Sequence, residues 1–162
     1  MTIAAPPASA LPARDAPSRI VAAGLAGGAV DLAYASAMGL LNGGSAARPW
    51  QVVASGWIGP SARDSGAWAV VLGVVTHFGI ATCMAAAYAL AARRWPDLYR
   101  RWPLYAVAYG IVLYGVMYRV VLPLRWPGAG AWAGVQSLFD IAAHVGLALA
   151  TAYVLSRPAR GR

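Results

Sequence analysis

From Trp68 to Ala92 the chain runs for 25 residues without an Asp, Glu, Lys or Arg, and no other feature limits its possible folds as much. At 1.5 Å per residue, a helix of that length spans the ~30 Å hydrocarbon layer of a bilayer. Inside that layer every backbone N–H and C=O must find its partner within the segment, which leaves a helix as the solution. Three more runs are nearly as apolar: Ile20 to Leu41, interrupted by Asp31; Leu104 to Leu122, with Arg119 near its end; and Val135 to Leu155, which carries Asp140 and His144. The expectation is an all-α polytopic membrane protein. Its four-helix transmembrane bundle occupies residues 20–156, with spans at 20–41, 68–92, 104–122 and 135–155.

The connections agree. Arg93-Arg94-Trp95-Pro96 closes the second span with anchoring arginines and a helix-stopping proline, and Pro123 stops the third. Residues 42–67 are rich in Gly, Ser and Pro, yet Trp50 to Ile58 is apolar and begins on one tryptophan and nearly ends on another, Trp57. That segment is too short to cross. Because indole rings favour the headgroup region, it is expected to be a short interfacial or shallowly re-entrant helix in the first periplasmic loop. Residues 1–19, with Pro6, Pro7, Pro12 and Pro17, read as a disordered cytoplasmic tail, and 157–162 as a basic one. Ala35-Ser36-Ala37 resembles a signal-cleavage site, but the run before it is too long for a signal and contains Asp31, so the segment is expected to stay.

Charge separates the possible partners. A net charge of +8 would suit nucleic acid, but the arginines flank apolar runs and form no amphipathic or aromatic-interleaved basic stretch, so no nucleic-acid partner is expected. All basic residues are Arg and all acidic ones Asp, which reads as the codon bias of a GC-rich bacterial genome. Nine arginines lie on one side of the spans (Arg14, Arg19, Arg93, Arg94, Arg100, Arg101, Arg157, Arg160, Arg162) and four on the other (Arg48, Arg63, Arg119, Arg125). The positive-inside rule then predicts a bacterial inner-membrane protein with both termini in the cytoplasm. The single cysteine, Cys83, reads as a small core residue and offers neither a disulfide nor a metal site.

Ionisable side chains in hydrocarbon cost at least ~2.5 to 3.5 kcal/mol and need a partner, a cavity or a function. Five lie in the spans: Asp31, His77, Arg119, Asp140 and His144. Counted from the helix ends at ~1.5 Å per residue, Arg119 and Asp140 share the outer leaflet and are expected to pair, while Asp31, His77 and His144 reach ~13 to 15 Å, near mid-membrane. Ser137, Asp140, His144, Leu147 and Thr151 share one face of the fourth span. Gly27, Asp31, Ala35 and Gly39 share one face of the first, and Gly73, His77 and Ala81 one of the second. Such small-residue faces are where helices touch.

Three readings of this cluster compete. In one, the polar groups are structural pairs that lock the bundle, within a structural or assembly subunit of a membrane complex or a homo-oligomer. Intramembrane hydrogen bonds average only ~0.6 kcal/mol, which is little reward for five ionisable groups. In the second, Asp31, His77 and His144 form a periplasm-facing pocket for proton-linked binding or transport of a small solute. Arg119 and Asp140 stand at its mouth and Tyr114 or Tyr118 line it. Histidine is the side chain that changes charge between about pH 5 and 8, and Asp/His chains serve proton-coupled membrane proteins. In the third, His77 and His144 ligate a haem b iron, or together with Asp31 and Asp140 hold a divalent metal. Only two histidines exist, however, and neither C-x-x-C-H nor H-E-x-x-H is present, so no cofactor is the leading expectation. There is no G-x-S-x-G and no phosphate-binding glycine loop, so no catalytic residue is assigned.

The stretches Gly28 to Leu32 with Tyr34-Ala35, Gln51 to Gly59, His77 to Ile80, Tyr114 to Met117, Val121 to Leu124 and Phe139-Asp140 with His144 resemble those of a family of small four-helix inner-membrane proteins of proteobacteria. In layout and in the histidine of the fourth span the chain is also similar to the YagU-like inner-membrane proteins associated with acid tolerance. The resemblance implies the same bundle and a proton-linked role, and it implies no particular reaction.

Overall fold

The computed structural model describes residues 17–157, which are helical throughout except for short turns. The helices are α1 Pro17–Leu41, α2 Arg48–Ile58, α3 Gly66–Arg94, α4 Asp97–Arg100, α5 Trp102–Val116, α6 Leu122–Arg125 and α7 Val135–Ser156. A 3-10 turn, Gly59–Arg63, follows α2, and a π turn, Met117–Val121, joins α5 to α6, so that Trp102–Arg125 is one continuous span. Together with α1, α3 and α7 it gives four helices long and apolar enough to cross a membrane. The protein is a multi-pass membrane protein built as a four-helix bundle. α1 begins at Pro17, so residues 17–19, expected in the tail, form its first turn. The remainder of that tail, and residues 158–162 of the C-terminal one, lie outside the described residues.

Glycine decides how closely α1 packs. It is wedged between α3 and α7, with Gly24 against the Thr82 backbone, Gly28 against Phe78, and Gly27 against Leu147 and Thr151. A side chain at any of these would strike its neighbour, which is why the expected small-residue face is an interface. α7 continues to α5, where Gly110 sits on the backbone of His144 and Val145. α3 and α5 meet through large side chains instead: the Tyr88 and Tyr109 rings are 5.3 Å apart, and the Tyr109 hydroxyl donates to the Met84 carbonyl at 2.8 Å. Ala23, Ala85, Tyr88, Ala89, Ala106, Ala152 and Leu155 form a buried core at the end where α1 begins and α7 ends. The outward faces are apolar, with Val71, Val75, Leu90, Ile111 and Val112 exposed, as a lipid-facing surface requires. Cys83 belongs to that outer surface. The expectation of a core cysteine is therefore corrected: it lies two residues from both Ala81 and Ala85 of the buried stripe, and so turns to the opposite side of the helix.

α2 enters the bundle. The Trp50 indole N–H donates to the Ser36 hydroxyl of α1 at 3.1 Å, the Trp50 backbone rests on Gly73 of α3, and the Trp57 N–H donates to Thr76 at 2.9 Å. Ser36 lies five residues inside the end of α1 and Thr76 ten inside the start of α3, or roughly 7 and 15 Å at 1.5 Å per residue. α2 thus packs against α1 and α3 inside their ends, a placement that suits either of the two expected positions. Arg125 then fastens the far end of α2: its guanidinium donates to the carbonyls of Gly56 at 2.8 Å and Ser55 at 3.1 Å, a cation on a helix C-terminus. Arg19 does the same for α7 through the carbonyls of Val154 and Arg157.

Candidate functional site

The three mid-depth groups do converge. Asp31 of α1, His77 of α3 and His144 of α7 line one cavity of about 190 Å³, whose other walls include Trp50, Met84, Met117 and Tyr118. Each is delivered by a feature already described. Gly28 lets α3 approach α1 so closely that His77 reaches the Gly28 carbonyl, with 2.9 Å between Nε2 and O. A carbonyl only accepts, so the ring hydrogen in this bond is on Nε2. The other nitrogen, Nδ1, then faces Oδ2 of Asp31 at 3.8 Å. Two ring edges hold the imidazole in place, Trp50 at 5.1 Å and Phe78 at 5.4 Å between centroids.

His144 is oriented by the same device. Its Nδ1 lies 2.8 Å from the backbone oxygen of Asp140 one turn earlier, so Nδ1 donates and Nε2 is left as an acceptor. The ring stands edge-on to Tyr114 and Tyr118, each 5.9 Å away, and those two rings stack on each other at 4.5 Å. Tyr114 is buried, and its hydroxyl has no hydrogen-bond partner among the described residues. The π turn is what turns Met117 and Tyr118 toward the cavity; its Leu122 N–H bonds back five residues to Met117, immediately ahead of Pro123, which has no N–H to give.

Above this chamber lies a larger vestibule of about 580 Å³, lined by Tyr34, Met38, Asn42, Arg48, Val52, Tyr118 and Asp140 among others. Tyr34, Ala35, Pro49 and Tyr118 are common to both spaces and form the wall between them. Asp140 is 7 % exposed. Its Oδ1 accepts from the Tyr34 hydroxyl at 2.6 Å and from the Gln136 amide at 3.0 Å, the amide also donating to Tyr34 at 2.9 Å. The Tyr118 hydroxyl is directed at the same carboxylate, and both tyrosines lie within electrostatic reach of Asp31.

The expected Arg119–Asp140 pair is not formed. Arg119 is exposed and donates to the Gly130 carbonyl at 3.2 Å, because the π turn, with its extra residue, rotates position 119 away from the bundle while bringing Tyr118 in. Asp140 stands at the mouth as expected, but the arginine lining the vestibule is Arg48. Tyr34, Gln136, Arg48 and Trp50 are site residues that the sequence reading missed. Gln136 was within its reach, since it stands four residues before Asp140 on one helix face.

Among the described residues no three His, Cys, Asp or Glu side chains are grouped to hold a metal ion. The inner chamber, at about 190 Å³, compares with the roughly 150 Å³ that holds one benzene, which is too small for a porphyrin. No protein-family model matches the chain, and neither a curated protein nor a solved structure does.

Proposed function

We propose that this is a bacterial inner-membrane protein, with both termini in the cytoplasm, whose chamber binds a small solute from the periplasmic side in exchange with a proton held between His77 and Asp31. One observation carries the reading: the Nε2 hydrogen is committed to the Gly28 carbonyl, and Nδ1 faces a carboxylate. With a neutral ring, two acceptors oppose each other across 3.8 Å. With one more proton, the same contact becomes a charge-assisted hydrogen bond. The contact therefore changes sign with proton number, on a ring held by the Gly28 carbonyl, Trp50 and Phe78.

The groups that face this pair support a transfer role. Tyr34 and Tyr118 stand between Asp31 and the vestibule carboxylate Asp140, and His144 offers a free acceptor in the same chamber. A structural lock accounts for Asp140, whose Oδ1 is paired with Tyr34 and Gln136. It does not account for an unpaired imidazole nitrogen beside a carboxylate in a cavity.

Trp50 is the natural reporter, since its ring touches His77. On lowering the pH from 8 to 5, the new charge changes Trp50 emission, and His77→Gln and Trp50→Phe each remove that change. Emission that does not respond to pH, or responds equally in both variants, contradicts the proposal.

A further inference from the structure

The vestibule poses a charge problem that the bundle does not solve. Asp140 is 7 % exposed in the outer part of a membrane span, and its partners Tyr34, Gln136 and Tyr118 are all neutral. No cation among the described residues is in an ion pair with it: Arg119 is held by Gly130, His144 gives its Nδ1 hydrogen to the Asp140 backbone oxygen, and Arg48 lines the vestibule without an ion pair to Asp140. A buried carboxylate whose donors are all neutral, and which lines an open vestibule, is half of an ion pair when ionised. Two tyrosine rings line that same space, and aromatic faces beside a carboxylate are the surroundings in which an organic ammonium ion is stable. The volume of about 580 Å³ lies within the range of roughly 300 to 1,000 Å³ typical of small-molecule sites.

We propose that the vestibule is a binding site for a small organic ammonium ion, its N–H donors on Asp140 and its hydrocarbon against Tyr34, Tyr118, Met38 and Val52. The ammonium replaces the missing counter-charge, and its apolar body covers the half-buried wall above the inner chamber. Arg48 sets the other limit: an arginine at the rim disfavours a second positive charge on the ligand, so the class is monocationic. The proposal rests on the reading that a solute enters from the periplasmic side, here through the vestibule that adjoins the chamber, and names that solute's chemistry. It does not depend on His77 being the proton carrier.

Isothermal titration calorimetry on the full chain in detergent decides it with three probes of one shape: benzylammonium, benzyl alcohol and benzoate. Benzylammonium is expected to bind at least about tenfold more tightly than the other two, and Asp140→Asn to lose about tenfold or more of that affinity, the scale of one charge-assisted hydrogen bond. Arg48→Gln should tighten it by removing a like charge. His77→Gln, which abolishes the pH response of Trp50, should keep the preference for benzylammonium over benzyl alcohol and benzoate, which separates failure of this proposal from failure of the proton reading. Benzyl alcohol or benzoate binding as well as benzylammonium would overturn the ammonium site on the unaltered protein, whatever the variants do. Unchanged benzylammonium affinity in a folded Asp140→Asn variant would overturn it equally.

Discussion

Nδ1 of His77 lies 3.8 Å from Oδ2 of Asp31 while the opposite nitrogen is committed to the Gly28 carbonyl at 2.9 Å. The first contact depends on a proton and the second does not, so the two partners of His77 should differ in what they contribute to stability. His77→Ala empties the space beside Trp50 and Phe78 and removes a buried hydrogen bond, with an expected loss of about 1 to 3 kcal/mol. Asp31→Asn, which keeps shape and leaves the Gly28 bond intact, should stay within about 1 kcal/mol of the parent. Chemical unfolding in detergent compares them. An equal loss in both variants would make the pair a structural lock.

Arg119 and Asp140 belong to separate networks, Gly130 for one and Tyr34 with Gln136 for the other. Their replacements should therefore add to within about 0.5 kcal/mol in a double-mutant cycle, with nearly all of the loss coming from Asp140. Coupling well above that value would restore the direct pair.

The four spans were legible because lipid imposes a length and an absence of charge that composition alone displays. Counting residues at a fixed rise also put Asp31, His77 and His144 at one level, and the three line one cavity. What counting could not supply is rotation. It assumes an ideal helix, and the π turn at Met117–Val121 breaks that assumption just before Arg119, exchanging Arg119 for Tyr118 at the site. The Tyr34 to Asp140 bond joins residues 106 apart, and no local pattern marks it. Trp50 looked like a headgroup anchor; its burial depends on Gly73 having no side chain, a fit that exists only once α2 and α3 are together.

Gly73 tests that fit. A Cβ there would meet the Trp50 backbone carbonyl, so Gly73→Ala should displace α2 and cost about 1 to 3 kcal/mol, the range of overpacked contacts. Gly79 faces open space, and Gly79→Ala should be neutral or slightly stabilising because of alanine's higher helix propensity. The pair is compared by thermal unfolding in the same detergent, and equal effects would show that α2 does not rest on α3.

The proposed orientation rests on the arginine distribution and is checked separately. Reporter fusions after Arg94 and at the C-terminus should read out in the cytoplasm, and one at Ser61 in the periplasm. A periplasmic C-terminus would reverse the vestibule to the cytoplasmic side and leave its chemistry intact.

The central claim is that His77 carries a second proton in contact with Asp31, and nitrogen NMR of the histidine-labelled protein between pH 4 and 8 measures it most directly. The account predicts that Nε2 keeps its hydrogen throughout, that Nδ1 gains a proton on acidification, and that Asp31→Asn changes the Nδ1 signal by removing the facing carboxylate. A His77 ring that never takes up the second proton, or whose Nδ1 signal is the same with Asn at position 31, would contradict it.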